Sequence, residues 1–120
     1  MLRLLLIFLG GGVGSVLRYS AGLATSRLSA GEAMPWATLT CNIVGCFLIG
    51  LFYGLSARCG WSEETRLMLT VGLCGGFTTF STFSNEGLAM IQAGDYGMYA
   101  LYTVLSIGLG LPAVFIGHSL

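Results

Sequence analysis

The sequence predicts an all-α membrane protein with four transmembrane helices in a single domain over residues 1–120, and three observations carry that expectation. Hydrophobic residues make up 55 % of the chain and charged residues 8 %, with a mean hydropathy of +0.85. The few charges fall mostly between long apolar stretches, not within them. Helical spans of ~20 residues each leave no room for a second, soluble domain.

The first span is expected from about Leu2 to Ala24. TSRLSAGEA then supplies two charges and turn-forming residues before Pro35, well placed in a helix's first turn, opens a second span that ends near Leu55. SARCGWSEE follows, with Ser62 as N-cap and Glu63 and Glu64 complementing the positive end of a third helix reaching about Gln92. Ala93, Gly94 and Asp95 allow only a tight turn, so the fourth span, about Tyr96 to Ile116, is expected to pack antiparallel to the third, with Pro112 bending its last turns. A cleavable signal over Met1 to Ser15 is the opposing reading of the amino terminus. The apolar run continues past the glycines to Tyr19 and Ala21, and three further spans already commit the chain to the membrane.

Four spans place both termini and the middle loop on one side with Arg3, Arg58 and Arg66, against Arg27 on the other. Lysine is absent and the bias is small, which leaves two readings open: insertion in both orientations, as an antiparallel homodimer would use, or a single topology set by the three arginines. Cys41, Cys46, Cys59 and Cys74 form no CxxC pair and have no histidine near them, so they read as small apolar fillers, with Cys59 alone reachable by water. Gly10, Gly14 and Gly22 share a four-residue row on the first helix, and Thr38, Asn42, Cys46, Gly50 and Gly54 repeat it on the second. Both rows read as close-packing faces.

Polar residues inside the spans point to function. Arg18 fills the missing step of the first glycine row; an arginine there costs ~2.5–3.5 kcal/mol on insertion scales unless it finds water or partners. A water-filled vestibule, where its charge concentrates anions, would supply both. Asn42 alone is explained by helix–helix hydrogen bonding, worth ~1 kcal/mol. Tyr102 and Ser106, four apart and continued by Gly110, add a second polar stripe and with it a wetted path. Between Thr78 and Glu86 seven of nine residues are polar, and the exceptions, Phe80 and Phe83, lie on one helical face. Back-bonding to carbonyls accounts for a few hydroxyls in a membrane helix, not for this run. Gly75 and Gly76, with Gly72 a turn earlier, favour a helix broken mid-membrane, whose freed carbonyls can hold a cation. Glu86 closes the run, either as a hydrogen-bonded partner of a neighbouring helix or at a wet pore mouth.

GGGVGSVLRY, WATLTCNIVGCFLIG and GGFTTFSTFSNE, in this order and at these distances, make the chain resemble the Fluc (CrcB) family of fluoride channels over essentially its whole length. The resemblance implies an antiparallel, dual-topology homodimer in the cell (inner) membrane, with two fluoride pores and a structural Na+ at the dimer centre. It implies that the backbone carbonyls of Gly75 and Thr78 from both copies hold the sodium, and that Phe80 and Phe83 line the pores. Asn42 would be the pore amide, Tyr102 and Ser106 the polar track and Arg18 the vestibule arginine, with Thr38, Ser81, Thr82 and Glu86 completing the pore set. Three positions depart from the pattern: Gly110 and Cys46 stand where serines are expected, and Ala37 where a glycine is. Expected partners are fluoride, the lipid bilayer and a second copy of the chain, with no nucleic acid.

Two competitors remain. A small proton-coupled exporter needs a membrane carboxylate, which Glu86 supplies, but the first helix has no acid and no aromatic lining for a bulky cation is evident. A non-transporting assembly subunit fits the glycine rows and leaves the polar third helix unexplained. No enzyme is expected: lysine is absent, His118 lies at the carboxyl end, and the serines near Glu86 lack a base to activate them. GGGVGS places Ser15 where GxGxxG requires its last glycine, and no βαβ context surrounds it.

Overall fold

The computed structural model describes residues 1–28 and 34–120. Its elements are α1 (Leu2–Leu28), α2 (Trp36–Cys59), α3 (Glu63–Leu67), a π-helical segment (Met68–Cys74), α4 (Gly75–Phe77), α5 (Phe80–Gln92) and α6 (Tyr96–Ser119). Among the described residues there is no strand, and four stretches are long and apolar enough to cross a membrane: Leu2–Thr25, Trp36–Cys59, Glu63–Gln92 and Tyr96–Ser119. The third of these contains α3, the π segment, α4 and α5.

Three boundaries lie later than the composition suggested. α2 runs to Cys59 instead of Leu55, because nothing breaks the helix until Gly60, whose φ of 66° and amide bond to the Ser56 carbonyl (3.0 Å) close it with a left-handed cap. α6 continues through Pro112 and past Ile116 to Ser119. The expected start of the third span holds, with Ser62 accepting from the Thr65 amide ahead of Glu63 and Glu64. Asp95 caps α6 in the same way through the Met98 amide. The first helix reaches Leu28, beyond the expected Ala24.

The first span packs on the third, and the second on the fourth. α1 lies along the π segment and α4: a Cβ on Gly14 would collide with the Leu73 carbonyl, and one on Gly76 with the Gly11 carbonyl. Gly22, in the same row as Gly10 and Gly14, faces open space, so the packing face covers only the first half of α1. α2 lies along α6, where Gly50 meets the backbone of Val114, Gly54 that of His118, and Gly117 that of Phe47. The fourth span therefore packs mainly on the second. The expected partnership with the third is confined to α5, where Phe83 and Met90 share a cluster with Tyr102 and Gly87 faces the Tyr99 ring. Backbone-to-backbone contact needs glycine, and the single glycine of α5, Gly87, meets the Tyr99 ring and not the α6 backbone.

At one end of the bundle Arg3 pairs with Glu63 at 2.9 Å and Glu64 at 3.4 Å, tying the start of α1 to the start of α3. The middle of the third span is where regular structure stops. Gly75 and Gly76 remain helical, while Thr78 (φ −91°, ψ 161°) and Thr79 (φ −154°, ψ 124°) are extended. Gly76 serves close packing against Gly11, and the interruption falls on the two threonines that follow Phe77.

Candidate functional site

The Thr78–Thr79 dipeptide organises the polar groups of the molecule. In a continuous helix the carbonyls of Gly75 and Thr78 would accept from the amides of Thr79 and Thr82. Here the Thr79 amide donates to Asn42 Oδ1 at 2.8 Å, and the Thr82 amide to the Thr79 hydroxyl at 3.2 Å. Asn42 Nδ2 donates back to the Thr79 carbonyl at 3.1 Å, and Arg18 Nε donates to the Gly76 carbonyl at 3.2 Å. The Thr78 hydroxyl donates to the Cys74 carbonyl of the preceding turn at 3.0 Å. The Thr79 hydroxyl also meets Thr82 Oγ1 at 3.1 Å and Ser81 Oγ at 3.3 Å.

Two hollows border this dipeptide, and a third lies further along α5. An open groove of about 530 Å³ between α2 and the third span is lined by Asn42, Cys46, Cys74, Gly75, Thr78 and Phe80, among others. A smaller hollow of about 210 Å³ holds Arg18, Thr38, Cys41 and Thr79, so that Thr79 borders both. A third, of about 300 Å³, is lined by Pro35, Glu86 and Asp95. Thr38 Oγ1 donates to Glu86 Oε1 at 2.6 Å, joining the second hollow to the third.

An aromatic row runs beside them. Phe80 and Phe83 stack with ring centroids 5.8 Å apart and 28° between planes, and Phe83 meets Tyr102 at 4.8 Å and 45°. Phe80 is 79 % exposed, whereas Tyr102 is 1 % exposed, with its phenol oxygen close to Glu86 and Thr38 yet outside hydrogen-bonding geometry. Ser106 donates to the Tyr102 carbonyl of its own helix at 2.7 Å.

The structure thus brings together Arg18, Thr38, Asn42, Thr78, Phe80, Ser81, Thr82, Phe83, Glu86 and Tyr102 along one seam, with Ser106 one turn further on α6. Glu86 accepts a bond from Thr38 of the neighbouring α2, the first of the two arrangements expected of it, and borders the third hollow. Thr79, the pivot of the seam, was not singled out by sequence; its position three residues before Thr82, at the entry to a new helix, is the N-cap spacing that would have found it. Thr103, whose hydroxyl is buried without a partner, was also missed, because it lies off the four-residue stripe of Tyr102 and Ser106. Among the described residues no cluster of three or more His, Cys, Asp or Glu side chains is placed to hold a metal. A cation here would need backbone oxygens, and the carbonyls of Gly75 and Thr78, deprived of their helical donors on residues that border the groove, are a donor set suited to a hard monovalent ion.

A bundle of four membrane-length helices, interrupted in its third and threaded by a hydroxyl-and-aromatic seam, defines a small multi-pass membrane protein of the transport class. The chain belongs to the CrcB family: the model described as CrcB-like protein, Camphor Resistance (CrcB), matches residues 5–118. It is 51 % identical over 117 residues to a protein of Phocaeicola vulgatus named Fluoride-specific ion channel FluC, covering 98 % of this chain and 96 % of that protein. Proteins of the same name from Bacteroides fragilis (50 % over 119 residues; 98 % and 94 % covered) and Thermus thermophilus (49 % over 120 residues; 100 % and 95 % covered) are similarly related.

Proposed function

We propose that this chain is a fluoride-selective channel, not an enzyme, that lets F⁻ leave the cell passively across the cytoplasmic membrane as an antiparallel dimer with two pores. The observation that carries this reading is identity near one half, over essentially the full length of both chains, with proteins named fluoride-specific ion channels. The seam supplies the chemistry. A small, strongly hydrated anion enters a narrow path only where donors replace its water, and the hydroxyls of Ser81 and Thr82 and the spare N–H of Asn42 offer such donors, whereas the Thr38 hydroxyl proton is already given to Glu86.

Phe80 and Phe83 add contacts of another kind. A ring edge carries the positive part of the quadrupole and faces an anion without a fixed charge that would trap it. Serial weak contacts let the ion leave as readily as it enters. Arg18 in its hollow raises the local anion concentration. Chloride, larger and less strongly hydrated, fits poorly in a path held rigid by packing. Sodium, held by the Gly75 and Thr78 carbonyls of both copies, would offset the mutual repulsion of their oxygens at the dimer centre. Fluoride that enters as the neutral weak acid is trapped as the anion at neutral pH, and the membrane potential drives it outward, which gives protection against environmental fluoride.

Glu86 is the one feature that also suits a proton-coupled exporter. Flux from proteoliposomes across an imposed pH gradient separates the two. Electrogenic fluoride movement that follows voltage and ignores the pH gradient is expected; uphill movement driven by the gradient would establish the exporter.

A further inference from the structure

The expected parts are a vestibule charge for Arg18 and the pore amide for Asn42, yet in the structure both side chains are engaged with the backbone of the third span. Asn42 meets Thr79 at two points, its Oδ1 accepting from the amide and its Nδ2 donating to the carbonyl. The carboxamide stands in for a peptide group of a neighbouring strand of backbone. Arg18 Nε donates to the Gly76 carbonyl, whose helical donor in an unbroken span would be the Phe80 amide, now the first residue of a new helix. The two side chains come from different helices, α1 and α2, and reach the interruption from different sides: Arg18 in the smaller hollow, Asn42 in the groove.

We infer that Arg18 and Asn42 are positioning residues, which hold the Thr78–Thr79 interruption in shape by replacing the backbone hydrogen bonds that the third span gives up there. An extended dipeptide in a hydrocarbon environment persists only where its polar groups are satisfied by protein. Its hydroxyls make only local bonds, to the preceding turn and to Ser81 and Thr82, and these would accompany several backbone arrangements. The Asn42 clamp and the Arg18 bond are long-range in sequence and select one. Each residue retains unused donors, so an N–H of either remains for an anion in the adjoining hollow. The inference deepens the channel reading and rests on it only for its consequence: the carbonyls of Gly75 and Thr78 stay free of helical bonds because Asn42 holds the Thr79 amide and Thr79 in turn caps Thr82.

The test combines hydrogen exchange of the purified full-length chain in detergent with fluoride efflux from liposomes at graded sodium concentration. In the wild type the Thr79 amide should be protected from exchange although it belongs to no helix; rapid exchange there would overturn the proposal without any variant having to fold. N42A should speed Thr79 exchange by tenfold or more, whereas an Asn42 that touches only the anion would lower flux and leave exchange unchanged. R18K retains the charge and loses the planar fork, so positioning predicts a severalfold rise in the sodium needed for half-maximal flux. Wild-type sodium dependence in R18K together with unchanged exchange in N42A would sink the proposal while leaving the channel intact. Faster Thr79 exchange in N42A from a protein that conducts no fluoride would uphold the clamp and remove the functional reading.

Discussion

Phe80 presents most of its ring to the outside of the bundle next to the interruption, and Phe83 carries the contact inward to Tyr102. An exposed phenylalanine on a membrane protein needs no explanation in itself; its place beside the hydroxyls of Ser81 and Thr82 does. Replacing either ring by isoleucine keeps the apolar volume and removes the positive edge. Because an aromatic edge contributes about 0.5–1.5 kcal/mol, F80I and F83I should each slow fluoride efflux by roughly two- to tenfold with the dimer intact. Unchanged flux in both variants would count against ring-edge coordination. At this scale the sequence was informative: the three-residue spacing put the two rings on one face, and the density of hydroxyls marked the span that holds them. What it could not convey is which hydroxyls are already engaged. Ser106 bonds to its own helix and Asn42 to Thr79, and such pairings depend on how neighbouring helices meet, not on residue type.

The elements follow the glycines, though not uniformly. Gly50, Gly54 and Gly117 let α2 and α6 touch backbone to backbone, while Gly22 lies in a row of the same period and meets nothing. Periodicity marks which residues share a face but not how far a neighbouring helix follows it. G117A should therefore lower stability by about 1–3 kcal/mol, since its Cβ would press on the Phe47 carbonyl and backbone oxygens cannot move aside cheaply. G22A should leave stability within about 0.5 kcal/mol, as expected of a substitution with no close contact. The midpoint of thermal unfolding in detergent, followed by size exclusion, checks both. The π segment at Met68–Cys74 had no compositional mark: widening a turn by one residue changes no propensity. Such segments are often found at functional sites, and this one lies directly before the interruption. That interruption was legible as a glycine pair ahead of a polar run. Its location on Thr78 and Thr79 was not: both glycines stay helical, and Gly76 is packed against the Gly11 backbone of α1.

At the scale of the whole molecule, the open groove between α2 and the third span is too exposed to confine an ion within one chain. The antiparallel dimer of the proposed channel gives it a second wall. Few arginines mark either face, and at the end where Arg3 and Arg66 lie, each is paired with Glu63. If the carbonyls of Gly75 and Thr78 hold sodium between two copies, replacing sodium by a large organic cation should abolish most fluoride flux or split the dimer on size exclusion. Full flux and an intact dimer without sodium would remove the ion from the account. The central claim, that the phenylalanine-punctuated third span borders a path where fluoride sheds water, is tested most directly by measuring fluoride and chloride efflux side by side from liposomes containing only this purified chain. The account predicts that fluoride empties within the assay while chloride stays; retention of both ions, or loss of both at one rate, would contradict it.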